Sequence, residues 1–524
     1  MRDFHMPGRS AVYAANGICA TSHPLAAKVA ISMLEEGGNA VDAAISAALV
    51  LGICEPQMTG IGGDCFALVH MPGDDRIIGL NGSGRAPAGI DAEALRAAGH
   101  RTMPEYQSGA SVTVPGALDA MLRLNERHGT RDIGAVLAPA IHYADAGVPV
   151  APRVAFDWAD AAPGLAGDAA RFYLLNGSAP RAGQVFRAPG QAEILRRVAT
   201  HGRDAFYQGE VAEDMAAALR AAGGTHQTED FAATSADWVA PISGSYGDYD
   251  LIELPPNGQG ATAILMANIL AEFDVDAMDP FGADRAHLEA EAAKLAYDAR
   301  NRFIAENSPR LDHMLSPKTA RDLAALIDMT RAMPSATTIS EAVHKDTIYI
   351  TVVDRDRMAV SLIYSIFHGF GSRISSRKFG VLLQNRGAGF SLEPGHPNEA
   401  APGKRPMHTI IPGMLRHKGR LAMPFGVMGG AYQPNGHARF LTNLADFGLD
   451  PQAAIDAPRS FAGDGEMQVE RGYSDAVRAD LAGRGHNVVI PNGPLGGAQA
   501  IWIGEDGILC GASDPRKDGI ALGY

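Results

Sequence analysis

The sequence predicts a layered fold of mixed α/β class. Three regions of the chain support this prediction. The first hundred residues alternate helix and strand signals, residues 115–321 are rich in Ala, Leu and charged residues at helical spacing, and strands with Gly/Pro turns prevail from residue 347 onward. At 524 residues the chain is long enough for two or three domains, or for one large layered α/β unit.

Composition and charge argue against several classes of partner. The chain has 46% hydrophobic and 20% charged residues, as is typical of a globular protein. The formal net charge of −14 disfavours nonspecific binding of nucleic acid, because a phosphate backbone is held mainly by Lys and Arg. The longest apolar stretch, residues 43–54, is too short to span a bilayer and predicts a buried helix. We therefore expect neither nucleic acid nor membrane as a partner.

Cysteine usage indicates a reducing compartment. Four cysteines in so long a chain do not form a disulfide framework, and no pair has metal-ligand spacing; they are Cys19, Cys54, Cys65 and Cys510. The N-terminal segment lacks the apolar core that a secretory signal requires. We expect four reduced core cysteines and a cytoplasmic location.

A β-hairpin is predicted where the sequence changes abruptly from a polar segment to one rich in β-branched residues. Residues 335–346 are polar with little periodicity, which predicts an exposed loop. The next segment, TIYITVVD from Thr347, is dense in β-branched and aromatic residues and predicts a strand. Residues 354–357 are predicted to turn, and AVSLIYSIF is predicted to return as the second strand.

A threonine at the start of such a strand can act as a nucleophile. If the bond before Thr347 is cleaved, its own α-amine becomes the base that activates its hydroxyl. Backbone N–H groups must then stabilise the oxyanion, and Gly429 and Gly430 in FGVMGGAYQP offer them. A packing threonine and an ordinary Gly-Gly turn remain the structural alternatives. No G-x-S-x-G motif offers another nucleophile, and we expect His287 and Glu291 to be solvated rather than metal-binding.

Several segments carry a resemblance to a known family. DTIYITVVDRD resembles the autocleavage junction of the γ-glutamyltranspeptidase family of N-terminal nucleophile (Ntn) hydrolases. The likeness covers nearly the whole chain, and further matching segments occur in order: HPLAAKVAISMLEEGGNAVDAAISAALVLGICEPQMTGIGGDCF, VPGALDAM, HLEAEAAKLAYDARNRF, APGKRPMHTIIP and GASDPRKDG.

The resemblance implies a four-layer αββα sandwich built jointly by two fragments of one precursor. Cleavage between Asp346 and Thr347 would give a large fragment, 1–346, and a small fragment, 347–524, which form a heterodimer that can pair again. The family scheme requires neither a metal nor an organic cofactor.

The resemblance also assigns site residues. Thr347 matches the family nucleophile, and Gly429 and Gly430 match the oxyanion pair. Ser365 matches a second hydroxyl, a threonine in typical members, that hydrogen-bonds the nucleophile. Thr409 matches one of two adjacent serines that line the pocket.

Other positions depart from the γ-glutamyl pattern. The arginine that grips the α-carboxylate of glutamate falls on Ser83, with Arg85 two residues along as a substitute. The acid that holds the α-amino group falls on Gly389, and a neighbouring polar contact becomes Arg386. Similarly, an asparagine beyond the second hydroxyl becomes Phe367, and the first paired serine becomes His408.

These changes replace an acid with a cation, so we expect an acyl group that carries a carboxylate or another anion but no α-amine. This pattern resembles the branch that includes oxamate amidohydrolase and acylase-like relatives. The structural alternatives are salt bridges for Arg386 and Arg85, a satisfied histidine at His408, and volume filling by Phe367.

The sequence thus predicts a self-processing amide hydrolase acting on a small-molecule amide with an oxamate-like acyl group. Three alternatives remain open: a γ-glutamyltransferase or glutathione hydrolase with a rebuilt pocket, a cephalosporin-type acylase, and a non-catalytic binding protein that is never cleaved.

Overall fold

The computed structural model describes residues 5, 8–74, 76–334, 347–463 and 465–524. Within these ranges the strands are β1 (Val12–Ala14), β2 (Ile18–Thr21), β3 (Asp64–His70), β4 (Ile77–Gly82), β5 (Val148–Pro149), β6 (Val185–Phe186), β7 (Asp237–Val239), β8 (Ile242–Tyr246), β9 (Tyr249–Glu253), β10 (Ile348–Val353), β11 (Ala359–Ser365), β12 (Ile374–Ser375), β13 (Leu382–Leu383), β14 (Gly413–His417), β15 (Arg420–Met428), β16 (Ser460–Gly463), β17 (Glu466–Val469), β18 (Val488–Val489), β19 (Gly497–Ile503), β20 (Leu509–Ser513) and β21 (Ile520–Gly523).

The helices within the same ranges are α1 (Pro24–Glu35), α2 (Ala40–Cys54), α3 (Ala92–Ala97), α4 (Ala117–His128), α5 (Ile133–Ala146), α6 (Pro152–Ala161), α7 (Gly167–Tyr173), α8 (Pro189–His201), α9 (Asp204–Tyr207), α10 (Gly209–Ala221), α11 (Thr228–Ala232), α12 (Gly260–Leu270), α13 (Ala283–Phe303), α14 (Leu311–Leu315), α15 (Pro317–Ala324), α16 (Gln433–Ala445), α17 (Pro451–Asp456) and α18 (Asp475–Gly483).

Two seven-stranded sheets form the centre of the molecule. One has the strand order β1-β20-β19-β15-β14-β9-β8, and the other has the order β21-β2-β10-β11-β3-β4-β7. Neighbouring strands in both sheets pair antiparallel. Because β10 and β11 lie between β2 and β3, sequence from both sides of residue 347 is interleaved within one sheet.

Side-chain alternation along β10 divides the interior into layers. Ile348 and Ile350 face a core shared with the helices that cover this sheet, whereas Tyr349 and Val353 face a core between the two sheets. A third core joins the other sheet to α12, α13 and α16. Three cores separate four layers, so the structure confirms the predicted αββα sandwich.

The apolar N-terminal segment forms the buried helix that the sequence predicts. Every residue of α2 is buried, and its N-terminus is closed by a capping box between Asn39 and Asp42. The four cysteines are also buried and free, as expected. In the described part of the chain, no helix has both the length and the apolarity that crossing a membrane requires.

The predicted hairpin is confirmed. Strands β10 and β11 pair in register from Ile348 with Tyr364 to Val353 with Ala359. The turn between them is held by Asp354, whose backbone N–H donates to the Met358 carbonyl. The predicted loop 335–346, including Asp346, lies outside the described residues.

The expectation that His287 and Glu291 are solvated was wrong. Both are fully buried, because α13 is covered by α12, α18 and β16. His287 Nδ1 lies 2.7 Å from His486 Nε2, and the ligand atoms of this His287–Glu291–His486 cluster lie within 4.8 Å of one another, close enough to hold a metal ion. Lys294, however, donates to Glu291 Oε1 at 2.7 Å, so the carboxylate charge is balanced by an ammonium group.

The close approach of the two sheets can be tested at Gly426 on β15. A Cβ at this position would lie 2.3 Å from the ring of Tyr349, which is fully buried. We expect Gly426→Ala to lower the free energy of unfolding by about 1–3 kcal/mol, because the buried ring must shift. Thermal unfolding would measure this, with Gly483→Ala as the control, since a Cβ at Gly483 meets nothing within 4 Å. Equal melting temperatures for the two variants would contradict the prediction.

Candidate active site

Thr347 lies at one end of the sandwich, immediately before β10. The pairing of β10 with β11 places it across from Ser365, and the pairing of β11 with β3 places Ser365 across from Asp64. Directly opposed residues of antiparallel strands share a face. All three side chains therefore lie on the face that points toward the second sheet, and each is at most 1% exposed.

Ser365 is the point where several donors meet. Its hydroxyl oxygen lies 3.5 Å from Thr347 Oγ1, and it accepts the Phe367 N–H at 2.9 Å and Arg386 Nη2 at 3.3 Å. The glycine-rich turn before β3 packs directly against it, because a Cβ at Gly63 would lie 2.3 Å from the Ser365 carbonyl oxygen. A residue with a side chain at position 63 would displace the end of β11.

Arg386 is a fully buried cation beside this hydroxyl pair. Its Nη1 donates to Thr409 Oγ1 at 2.8 Å, and its Nη2 donates to Ser365. The Phe367 ring covers one face of the guanidinium, with Cζ 4.0 Å from the ring centroid. Phe367 has a φ of 82°, a left-handed conformation that is uncommon for an aromatic residue. The structure thus brings Thr347, Ser365, Phe367, Arg386 and Thr409 together.

His408 contacts Asp64 in the described structure. Its Nδ1 accepts the Ile410 N–H, so we assign the proton to Nε2, which donates to Asp64 Oδ2 at 3.0 Å. Burial, reinforced by the positive charge of Arg386, lowers the pKa of His408 to about 3. This imidazole is therefore neutral at physiological pH, and its position beside Thr409 helps to fix that side of the pocket.

Gly429 and Gly430 form a turn at the end of β15, in the other sheet. Their φ values of 113° and 54° lie in the left-handed region, which favours glycine. Gln259 holds the turn in place, because its Nε2 donates to the carbonyl oxygens of Gly430 at 2.9 Å and Thr409 at 2.7 Å. Arg300 in turn donates to Gln259 Oε1 at 3.0 Å, which fixes the orientation of the amide.

Arg85 is engaged away from this cluster. Its guanidinium forms an ion pair with Glu306, donates to Asp237 at 3.3 Å and donates to the Gly403 carbonyl at 3.0 Å. Gly389 lies close to another segment, because a Cβ there would be 2.8 Å from the Met407 carbonyl oxygen. An acidic side chain at position 389 therefore has little room.

Sequence reasoning missed the residues that hold the site together. Asp64 Oδ1 accepts the Gly84 N–H and Gln384 Nε2, both at 2.8 Å, and so links β3 to the segment that carries Arg386. The sequence did indicate that Asp64 could have a special role, because this acidic residue directly precedes the apolar run CFALV. Gln259 follows an Asn-Gly turn and carries no comparable signal.

Sequence comparison assigns this chain to one family. Residues 26–524 match the sequence model of the family described as gamma-glutamyltranspeptidase. The glutathione hydrolase-like YwrD proenzyme of Bacillus subtilis is 34% identical, over 96% of this chain and 97% of that protein. The oxamate amidohydrolase proenzyme of Klebsiella pneumoniae is 33% identical, over 97% and 98%.

A solved structure agrees with these relatives. The crystal structure of cephalosporin acylase from Bacillus halodurans superposes with a TM-score of 0.91 at 39% identity and covers 100% of this chain and 99% of that one. Fold, sequence and relatives therefore agree: the chain is an amide hydrolase of the gamma-glutamyltranspeptidase family, whose members are autoprocessed Ntn hydrolases.

Proposed function

We propose that Thr347 is the nucleophile of a self-processing amide hydrolase. The observation that carries the proposal is the buried pair of hydroxyls, Thr347 and Ser365, at the rigid end of two paired strands. In processing, the Thr347 hydroxyl attacks the Asp346 carbonyl carbon, and the acyl group shifts from nitrogen to oxygen. Water then hydrolyses the ester and leaves fragments 1–346 and 347–524.

In turnover, the freed α-amine of Thr347 takes the proton of its own hydroxyl as the oxygen attacks the substrate amide carbon. The N–H groups of Gly429 and Gly430 stabilise the oxyanion. The C–N bond then breaks, the departing amine takes the proton, and an acyl ester on Thr347 remains. Water attacks this ester, which releases the acid and restores the hydroxyl.

The acyl group that this pocket favours carries a carboxylate and no α-amine. Arg386 supplies a buried planar cation within hydrogen-bonding distance of Ser365 and Thr409, and a guanidinium matches a carboxylate well. The tight space at Gly389 leaves little room for an acid that would hold an ammonium group. An oxamate-like amide fits both features.

A γ-glutamyl substrate is the second candidate, because several relatives are named glutathione hydrolases. Its ammonium group would lie in a pocket that contains Arg386, where like charges repel. A cephalosporin-type acyl group, named in the structural relative, is a third candidate within the same chemistry.

Removal of the hydroxyl gives the first test of the proposal. We expect wild-type protein to yield two fragments split between Asp346 and Thr347, and Thr347→Ala to stay whole, because the alanine has no nucleophile. Intact mass spectrometry reads both outcomes, and Thr347→Ser is the matched control that keeps a hydroxyl. A wild type that stays whole after folding would favour the non-catalytic binding protein.

The carboxylate preference depends on the charge of Arg386. We expect Arg386→Met to lower kcat/KM for oxamate by about 100-fold or more and to change kcat/KM for a neutral amide far less, because only the carboxylate loses its partner. Arg386→Lys keeps the charge but loses the planar guanidinium, so its kcat/KM for oxamate should lie between those of the wild type and Arg386→Met. Equal losses on both substrates would assign Arg386 a structural role.

Gln259 is proposed as a positioning residue for the oxyanion turn. We expect Gln259→Leu to lower kcat by about 10–100-fold with little change in KM, since the Gly430 carbonyl loses its anchor and the N–H groups shift. Gln452→Leu is a matched control, as Gln452 is a buried glutamine that bonds to Ser513 instead. Similar kcat values for both variants, per titrated N-terminal threonine, would contradict this role.

A further inference from the structure

We infer that Arg386 limits the length of the acyl group, so that the preferred substrates are monoamides of two- and three-carbon dicarboxylic acids. The inference rests on the proposed function, in which Thr347 attacks the amide and Arg386 binds the carboxylate. It goes further because it excludes longer diacid amides that carry the same two functional groups. The relevant dimension is the separation between the nucleophile and the cation.

Two hydrogen-bond distances bound this separation. Thr347 Oγ1 lies 3.5 Å from Ser365 Oγ, and Ser365 Oγ lies 3.3 Å from Arg386 Nη2. The distance from Thr347 Oγ1 to Arg386 Nη2 is therefore at most about 7 Å, whatever the angle at Ser365. A single bridging hydroxyl thus joins the nucleophile to the cation.

A substrate that reaches both groups uses most of this distance. The attacked carbon approaches the nucleophile oxygen to about 3 Å, and a carboxylate oxygen accepts from a guanidinium at about 2.8 Å. About 1 Å of the separation remains, which is less than the roughly 2.4 Å between the attacked carbon and a carboxylate oxygen of an oxalyl group. The line of contacts is therefore bent for an oxalyl group, and it must bend more for a malonyl group. An extended five-carbon diacid, whose terminal carbons are about 5 Å apart, must fold or miss one contact.

Phe367 restricts the directions from which an acyl group can reach the guanidinium. Its ring covers one guanidinium face at 4.0 Å, so on that side a carboxylate can reach only the in-plane N–H edge, which faces Ser365 and Thr409. The Phe367 N–H donates to Ser365 Oγ at 2.9 Å and fixes the start of this turn. The ring therefore favours binding on the side of the nucleophile.

A homologous series of substrates tests the inference. We would measure kcat/KM of the processed wild-type enzyme for oxamate, malonamate, succinamate and glutaramate. We expect the highest value for oxamate or malonamate and a fall of at least tenfold by glutaramate. A glutaramate value equal to or above that of oxamate would overturn the length limit.

A pair of variants distinguishes the effect of the Phe367 ring on specificity from general effects on the fold. Phe367→Ala should raise the ratio of glutaramate to oxamate turnover at least threefold, because the guanidinium face that the ring covers becomes accessible. Phe156→Ala is the matched control, since Phe156 also stacks on an arginine, Arg153 at 5.7 Å, but is 55% exposed on α6. An unchanged ratio in Phe367→Ala would overturn the role of the ring.

Failure of the length limit differs from failure of the proposed function. If all four acids are cleaved equally well and all depend on Arg386, only the limit is wrong. If neutral amides or γ-glutamyl anilides are cleaved better than every diacid monoamide, the carboxylate preference is wrong and the limit falls with it. If no amide is cleaved and the chain stays whole, the catalytic proposal itself fails.

Discussion

The register of three neighbouring strands is the constraint on which the site depends. Thr347, immediately before β10, lies opposite Ser365 of β11, which lies opposite Asp64 of β3, so the three side chains point the same way. A one-residue slip of either pairing would turn one of these groups toward the helices and bury apolar residues on the wrong face. The alternating apolar residues of β10 and β11 therefore fix the geometry of the site as well as the cores on either side.

Asp64 links these strands to other segments of the pocket through hydrogen bonds. Its two oxygens accept from Gly84, Gln384 and His408, and each of these partners lies next to a segment that lines the site. These hydrogen bonds stabilise the buried carboxylate. A neutral His408 is consistent with this arrangement.

The sequence predicted the parts of the fold and site that local pattern encodes. The hairpin followed from β-branched and aromatic residues around a turn, and the glycine pair followed from a motif. Pairings over long separations were not accessible in this way: His408 and Asp64 are 344 positions apart, and no local pattern links them. The burial of His287 was misjudged for the same reason, since polar residues at helical spacing look solvated until the covering elements are known.

Relatives that share this scaffold are named for different substrates. Thr347 and the turn of Gly429 and Gly430, the proposed nucleophile and oxyanion site, are placed by the start of β10 and the end of β15, so side-chain changes elsewhere in the pocket leave them in place. Arg386 and Gly389, by contrast, lie in one short turn between strands. A Cβ at position 389 would lie 2.8 Å from the Met407 carbonyl oxygen, so the glycine lets this turn pack closely against the segment that carries His408 and Thr409. If Arg386 binds the acyl group as proposed, the packing of the whole 386–389 turn sets the position of its guanidinium.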